Sequence, residues 1–359
     1  MECVPPTWRI DIEREEDLIE EIARHSGYEK IGSELPPSSQ SGEYQATELK
    51  TRALRRTLQT LGFDEAISFS FIERAHDNQF DLIPGLTINR EDGFVTLKNP
   101  IIEELVRMRP TLIPGLLEAL RHNLNHGVRD VRMFEIGRVF ANSAPGELPN
   151  EREVLALIAT GGAIEENRAQ ADREVDLYDL KGSLEAAVAA TIRGSLGFTK
   201  APAKHLQEGQ AARIMLEDGT TIGSIGRLAE SVANAYKFRQ PVYVAELDLT
   251  SLLGSEEKPV QYRPLPRYPS VVRDLTILVD RQVTLAELLH AIDERRIADC
   301  RGARLVGTYE GSNIPEAKRA VTLRIEYRSD ERTLRDEEVE ERQRSLIDSL
   351  LRQYSAQLH

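Results

Sequence analysis

An α+β architecture in at least two domains is predicted by three observations. The chain has 359 residues, too many for one ordinary hydrophobic core. Through its first two-thirds, strand-like alternation and helix-like spacing are interleaved, and successive strands are joined by turns. That pattern indicates a mostly antiparallel sheet with helices segregated beside it. The last hundred residues read strand, helix, strand, strand, helix, which is most of a ferredoxin-like βαββαβ unit.

The opening residues through Arg9 read as the end of a strand and a turn. Over 13–27, Leu18, Ile19, Ile22 and Ala23 recur at helical spacing, and Gly27 suits the position just past a helix end. Residues 32–43 form a Pro/Ser/Gly linker. A helix is predicted over 47–61, with Leu49, Ala53, Leu54, Leu58 and Leu61 on one face and Gly62 ending it. Alternation in DEAISFSFI predicts a strand over 64–72, and a short extended stretch at 95–97 leads into Asn99-Pro100. Residues 112–124 read as a helix with Pro114 in its first turn. Strands follow at 131–140 and 153–161, then a helix at 180–192. A hairpin within 211–228 turns at Asp218-Gly219, and a strand at 242–249 precedes a linker over 255–266. In the terminal hundred residues the strands are 275–279, 304–309 and 320–327, and the helices 285–292 and 335–353. Thr333 and Asp336 have the S/T-x-x-D spacing of a cap for the last helix.

Composition narrows the function classes. Hydrophobic residues make up 40% of the chain, ample for globular packing, and no apolar run approaches a membrane span. No charged and apolar leader opens the sequence, and two cysteines, Cys3 and Cys300, make neither a disulfide framework nor a zinc cluster. These features indicate a cytoplasmic protein with no membrane partner. The net charge of −13 argues against coating nucleic acid with the whole surface. From Pro259 onward, however, 17 Lys and Arg balance 17 Asp and Glu. The whole net charge therefore lies in the earlier part, and a neutral, arginine-rich terminal domain is free to bind RNA locally.

The sharpest local signal is acidic. Seven of the eleven residues from Asp11 to Glu21 are acidic, and Asp17, Glu20 and Glu21 fall on one helical face at i, i+3 and i+4. Like charges so spaced destabilise a helix by about 0.2–0.5 kcal/mol per pair. A hard divalent cation would relieve the strain, and Mg²⁺ takes one or two carboxylates plus waters. The alternative is a solvated helix start whose acids are favoured by the macrodipole.

In the terminal domain, Arg267, Tyr268, Arg273, Tyr309, Arg324 and Arg328 are candidate RNA contacts, because arginine and tyrosine planes stack on unpaired bases. Against them, Asp274 is a ready partner for Arg273, Tyr268 can pack under the linker, and half of any strand faces inward. Phosphate-centred catalysis would need arginines to grip phosphates and acids to hold metal. Arg107, Arg109 and Glu135 are candidates, but no glycine-rich strand ending in arginine follows them, and GSIGRL reads as a strand edge. No P-loop or nucleophile elbow occurs. His122 and His126 lack the glutamate and third ligand of a zinc site.

Several long segments carry a family resemblance. PLPRYPSVVRDLTILV, GTYEGSNIPEAKRAVTLRIEY and RTLRDEEVE, in that order, resemble the ferredoxin-fold anticodon-binding domain that closes the β subunit of bacterial phenylalanyl-tRNA synthetase. LRRTLQTLGFDEAISFSFI, the run from Leu97 to Phe140, and DLYDLKGSLEAAV are similar to the core-like module of the same subunit, a relative of the class II synthetase catalytic fold. The resemblance implies a remnant of a helical, winged-helix-like module at 1–38, a non-catalytic class II core-like module at 41–254, and the anticodon-binding domain at 263–359. It also implies the C-terminal part of a β subunit. Such a chain scaffolds the catalytic α subunit in an α2β2 assembly and holds phenylalanine tRNA by its anticodon region, while the α subunit binds ATP. WRIDIEREEDLIEEIARHSGY resembles the segment that binds Mg²⁺ at the junction with α, and the family's four ligand positions fall on Asp11, Asp17, Glu20 and Glu21. The sequence departs from the family at Leu206–Gly209 and Ala229-Glu230, where His-Pro turns are usual. Two other readings are a stand-alone RNA-binding regulatory module and an enzyme with its own amino-acid-activating site in 41–250.

Overall fold

A computed structural model describes the chain apart from residues 1–2, 36, 38–41, 46, 87–92, 144–146, 165–167, 169–171, 193, 256–260, 263, 312 and 359. The predicted linkers at 32–43 and 255–266 lie partly outside the described residues. Contacts divide the chain into two units, Met1–Pro259 and Val260–His359.

In the first unit the elements are, in order, α1 (Glu15–Ser26), α2 (Glu48–Thr60), β1 (Asp64–Glu65), β2 (Phe71–Ile72), β3 (Arg107–Met108), α3 (Ile113–Asn125), β4 (Val131–Ala141), β5 (Asn150–Thr160), α4 (Leu177–Ile192), β6 (Gly197–Lys200), β7 (Leu206–Met215), β8 (Thr221–Leu228), α5 (Glu230–Ala235), β9 (Val242–Asp248) and α6 (Leu249–Gly254). Seven strands form one sheet in the order β1-β4-β5-β9-β8-β7-β6, antiparallel throughout except for the β1–β4 pair. β9 and, from Val154 on, β5 are buried on both faces, so they read as near-continuous apolar runs rather than as alternation. One face packs Leu155, Leu157 and Leu247 against Leu54 and Leu58 of α2, Leu184 and Val188 of α4, and Leu252 of α6. The other packs Val154, Ile158 and Val244 against Leu116, Leu117 and Leu120 of α3. Each fully buried leucine contributes about 1.5–3 kcal/mol relative to exposure.

The expected antiparallel sheet with flanking helices is present, with local differences. The 64–72 alternation predicts one strand, yet only β1 and β2 at its ends pair. Between them Ser68 turns inward to a buried acid, which sends Ile67 and Phe69 outward at 93% and 73% exposure. The alternation is therefore real but reversed: with Ser68 facing the core, its neighbours on the extended backbone point the other way. On α1, Ile19 and Ile22 are exposed while Leu18 and Ala23 are half-buried. GSIGRL is no edge: β8 lies between β9 and β7. Gly223 permits its close approach, since a Cβ there would lie 2.0 Å from the Glu246 carbonyl oxygen.

The second unit comprises β10 (Val271–Asp280), α7 (Leu285–Glu294), β11 (Cys300–Tyr309), β12 (Lys318–Tyr327), α8 (Asp336–Tyr354) and β13 (Gln357–Leu358). Its antiparallel sheet runs β11-β12-β10-β13, the strand order of a ferredoxin-like βαββαβ fold. Leu275, Ile277, Leu323 and Ile325 face Leu288 and Ile292 of α7 and Leu346 and Leu350 of α8. Thr284 caps α7 by a reciprocal bond with Glu287. The cap expected of Thr333 and Asp336 is displaced by two residues. Arg335 is the N-cap of α8, and the Glu338 carboxylate accepts from its backbone N–H at 3.0 Å. Glu338 also receives a bidentate Arg332, and that extra partner favours the shifted register.

Candidate functional site

Two features of the described residues have the chemistry of a site. The first is the sheet face of the second unit that faces away from α7 and α8. Odd-numbered residues of β10 and β12 point into the core, so Val272, Asp274, Thr276, Thr322, Arg324 and Glu326 lie on the open face. Register places Arg304 of β11 directly opposite Arg324, and Arg324 opposite Asp274, making a charged row across three strands. Nε and Nη2 of Arg324 donate to the two Asp274 oxygens, both at 2.7 Å. This holds the Asp274 carboxyl below the usual carboxylate range. Arg304 makes no close ion pair among the described residues, and its charge adds to that of Arg324 in lowering the Asp274 carboxyl. A shallow cavity of about 260 Å³ is lined here by Arg301, Arg304, Arg324, Val272 and Glu326.

The six predicted contacts therefore divide. Arg324 and Tyr309 lie on the open face, with Tyr309 opposite Ala320. Arg273 does not: it is on the helix-facing side of β10, and its Nη2 pairs with Asp336 at 2.8 Å, not with neighbouring Asp274. Arg328 follows β12, 3.3 Å from Glu326. Arg267 is exposed and Tyr268 half-buried in the segment leading to β10. Arg301 and Arg304 are not legible as open-face residues in the sequence, because the face that a residue at a strand's start takes depends on register and on the bulges of β11, between Cys300 and Gly302 and between Leu305 and Gly307.

The second feature is the acidic start of α1. Asp17 accepts the backbone N–H groups of Glu13 and Arg14, both at 2.8 Å, and so acts as a helix cap. Those bonds lower its pKa. Arg9 Nη2 bridges Asp11 and Glu21 at 2.7 Å each, and Arg24 binds the second Glu21 oxygen at 2.5 Å. These guanidinium bonds hold the Asp11 and Glu21 carboxyls down to about 2. Glu20 has no partner among the described residues. The donors are all hard carboxylate oxygens, suited to Mg²⁺, and Asp17 keeps one oxygen unused while Glu20 keeps both. Asp11 and Glu21 are already neutralised by arginine. Among the described residues no three His, Cys, Asp or Glu side chains converge on a common metal position. The exposed His122 and His126 rings pack against each other at 4.2 Å.

The triad considered for phosphate chemistry is engaged internally. Arg109 Nη1 reaches Glu135 at 2.6 Å, and both side chains are buried. Arg107 is tied to Asp77 and Thr96. Neither guanidinium is free to grip a phosphate.

Three family descriptions match the chain in sequence order. Residues 1–28 match the tRNA synthetase B5 domain, 31–249 the phenylalanyl tRNA synthetase beta chain CLM domain, and 266–359 the ferredoxin-fold anticodon binding domain. A phenylalanine–tRNA ligase beta subunit from Geobacter sulfurreducens is 35% identical over 98% of this chain and 44% of its own length. Those from Dechloromonas aromatica and Staphylococcus epidermidis are 34% and 35% identical, over 99% and 93% of this chain. A solved pyrrolysyl-tRNA synthetase from Desulfitobacterium hafniense is similar over 67% of this chain and 76% of its own, at 17% identity and a TM-score of 0.41, too loosely to carry an argument. This chain spans less than half the length of the curated relatives it matches. With the beta-chain CLM description alone covering more than half its residues, the chain belongs to the phenylalanyl-tRNA synthetase β-subunit family.

Proposed function

We propose that this chain is the non-catalytic part of a phenylalanine–tRNA ligase β subunit, which scaffolds the catalytic α subunit and holds the tRNA anticodon region while α charges the tRNA with ATP and phenylalanine. The observation that carries the reading is the succession of three family matches over nearly the whole chain, a synthetase B5 domain, a phenylalanyl-tRNA synthetase beta-chain domain and an anticodon-binding domain. The internal engagement of Arg107, Arg109 and Glu135 supports a silent core-like module. In this reading the modules are 1–38, 41–254 and 263–359, the assembly is α2β2, the location is the cytoplasm, and ATP is bound by α.

Mg²⁺, where bound, supplies a hard positive charge at the junction with α. Asp17 and Glu20 would hold it through their unused oxygens, and Asp11 and Glu21 would join by exchanging arginine for metal. Within the chain, Asp17 keeps the helix start ordered through its two backbone bonds, and Arg9 holds the preceding loop against α1 through Glu21.

On the open sheet face, Arg304 and Arg324 would stack on or pair with anticodon nucleotides, with Tyr309, Arg267, Tyr268 and Arg328 around them. Arg304→Gln is expected to weaken binding of a phenylalanine-tRNA anticodon stem-loop about tenfold or more, in line with the 1–3 kcal/mol of one stacking contact. Arg273→Gln, on the helix side, is expected to leave it unchanged. Fluorescence anisotropy at fixed salt checks both, and equal affinities in all three proteins would remove the charged row from the interface.

A further inference from the structure

The first unit contains a cavity of about 570 Å³, outside the two features above. It lies where residues 76–86 cover the sheet face that packs α3, with Thr111 from the turn before α3 at its edge. Strand register brings a polar row to it. Arg213 of β7 is opposite Ser224 of β8, Ser224 is opposite Glu246 of β9, and all three line the cavity. Adjacent strands are about 4.8 Å apart, so the row is about 10 Å long from end to end, the length of a small metabolite. The volume falls within the range of about 300–1,000 Å³ typical of small-molecule sites. The remaining wall is largely apolar, with Phe80, Ile83, Leu86 and Phe94.

The pairing of the charged groups decides what the cavity can take. Glu246 is satisfied, since it accepts from the Leu112 backbone N–H at 2.7 Å and from the Thr111 hydroxyl at 2.8 Å. Asp81 is also engaged, by the Lys204 backbone N–H at 2.9 Å and more loosely by Lys204 Nζ at 3.9 Å. Arg213 and the Ser224 hydroxyl have no partner among the described residues. The acids are thus spent on protein groups, and within the polar row the unspent groups are a cation and a hydroxyl. Burial also pushes the Glu246 carboxyl up to about 7, which lessens its repulsion of a nearby anion.

We propose that this cavity binds a small organic anion. Its carboxylate meets Arg213 and accepts from Ser224, and its apolar body lies against Phe80, Ile83 and Phe94. The site goes beyond the tRNA-ligase reading and needs neither α nor RNA. Saturation-transfer NMR on the chain tests it with 3-phenylpropanoate, its neutral amide, and inorganic phosphate as probes. The expected result is a submillimolar dissociation constant for the acid, at least tenfold weaker binding of the amide, and no measurable binding of phosphate. Arg213→Gln, on an exposed side chain, is expected to weaken the acid about tenfold, and Ser224→Leu to abolish binding by filling the cavity. Equal binding of acid and amide, phosphate binding as tightly as the acid, an unchanged constant in Arg213→Gln, or no transfer at millimolar probe would each overturn the proposal.

Discussion

Glu246→Gln is expected to remove a loss of stability that the natural chain suffers as pH rises from about 4.5 to 7. Glu246 is buried on a central strand, and desolvation raises its carboxyl to about 7 from an ordinary 4.5. Below 4.5 the group is protonated in both folded and unfolded chains and contributes nothing to the pH dependence. Between 4.5 and 7 the unfolded chain releases its proton while the folded one keeps it, so stability falls across that window and levels off above 7. A shift of that size corresponds to about 3 kcal/mol above pH 7. Glutamine retains an oxygen for the Leu112 N–H and offers an amide donor to Thr111, so both bonds survive. The variant is therefore expected to match the natural chain near pH 4.5 and to be more stable by up to about 3 kcal/mol at pH 8. His205 contributes the opposite slope: burial lowers it to about 4, so stability rises as pH climbs from about 4 to 6.5. That slope is common to both proteins and cancels in their difference. Urea unfolding at a series of pH values gives the difference curve, and parallel stabilities throughout would mean that Glu246 is ionised in the fold.

Arg109→Met is expected to destabilise the first unit by about 3–5 kcal/mol, and Arg109→Met with Glu135→Leu to recover most of that loss. Arg109 and Glu135 are 5% and 2% exposed. The guanidinium donates to Glu135, to the Ser68 hydroxyl at 3.1 Å and to the Arg138 carbonyl at 3.0 Å, while Ser68 donates to the second Glu135 oxygen at 2.5 Å. Removing the cation alone leaves a buried carboxylate with only Ser68 for company. Removing both charges leaves an apolar gap that Met and Leu fill, on a sheet face already packed by Leu112 and Val139. Urea midpoints of the three proteins check the pattern. A double variant as unstable as the single one would show that the hydrogen bonds to Ser68 and Arg138, not the charge balance, hold this region.

Much of this fold is legible in the sequence because its signals are local. The alternation of β10 and β12, the spacing of Leu54 and Leu58, and the Asp218-Gly219 turn each depend on a few neighbouring residues. What stays hidden depends on partners distant in sequence. Ile67 and Phe69 face outward where Ser68 faces inward to Glu135, 67 residues away. Arg324 takes Asp274 from 50 residues away, leaving Arg273 to Asp336 on the opposite side of the sheet. The row Arg213–Ser224–Glu246 exists only through the register of three strands. The acidic run at Asp11–Glu21 is plain in the sequence, but its neutralisation by Arg9 and Arg24 is a matter of geometry. Short elements such as β6, α5, α6 and β13 carry too few residues for a period to emerge.

The central claim, that this chain scaffolds a catalytic α subunit, is tested most directly by mixing it with the cognate α subunit and measuring the mass of the product by light scattering, with and without Mg²⁺. The account predicts a stable species with the mass of two α subunits plus two copies of this chain, and catalysis only when α is present. A chain that remains separate from α under both conditions would contradict it and leave an independent RNA-binding protein as the better description.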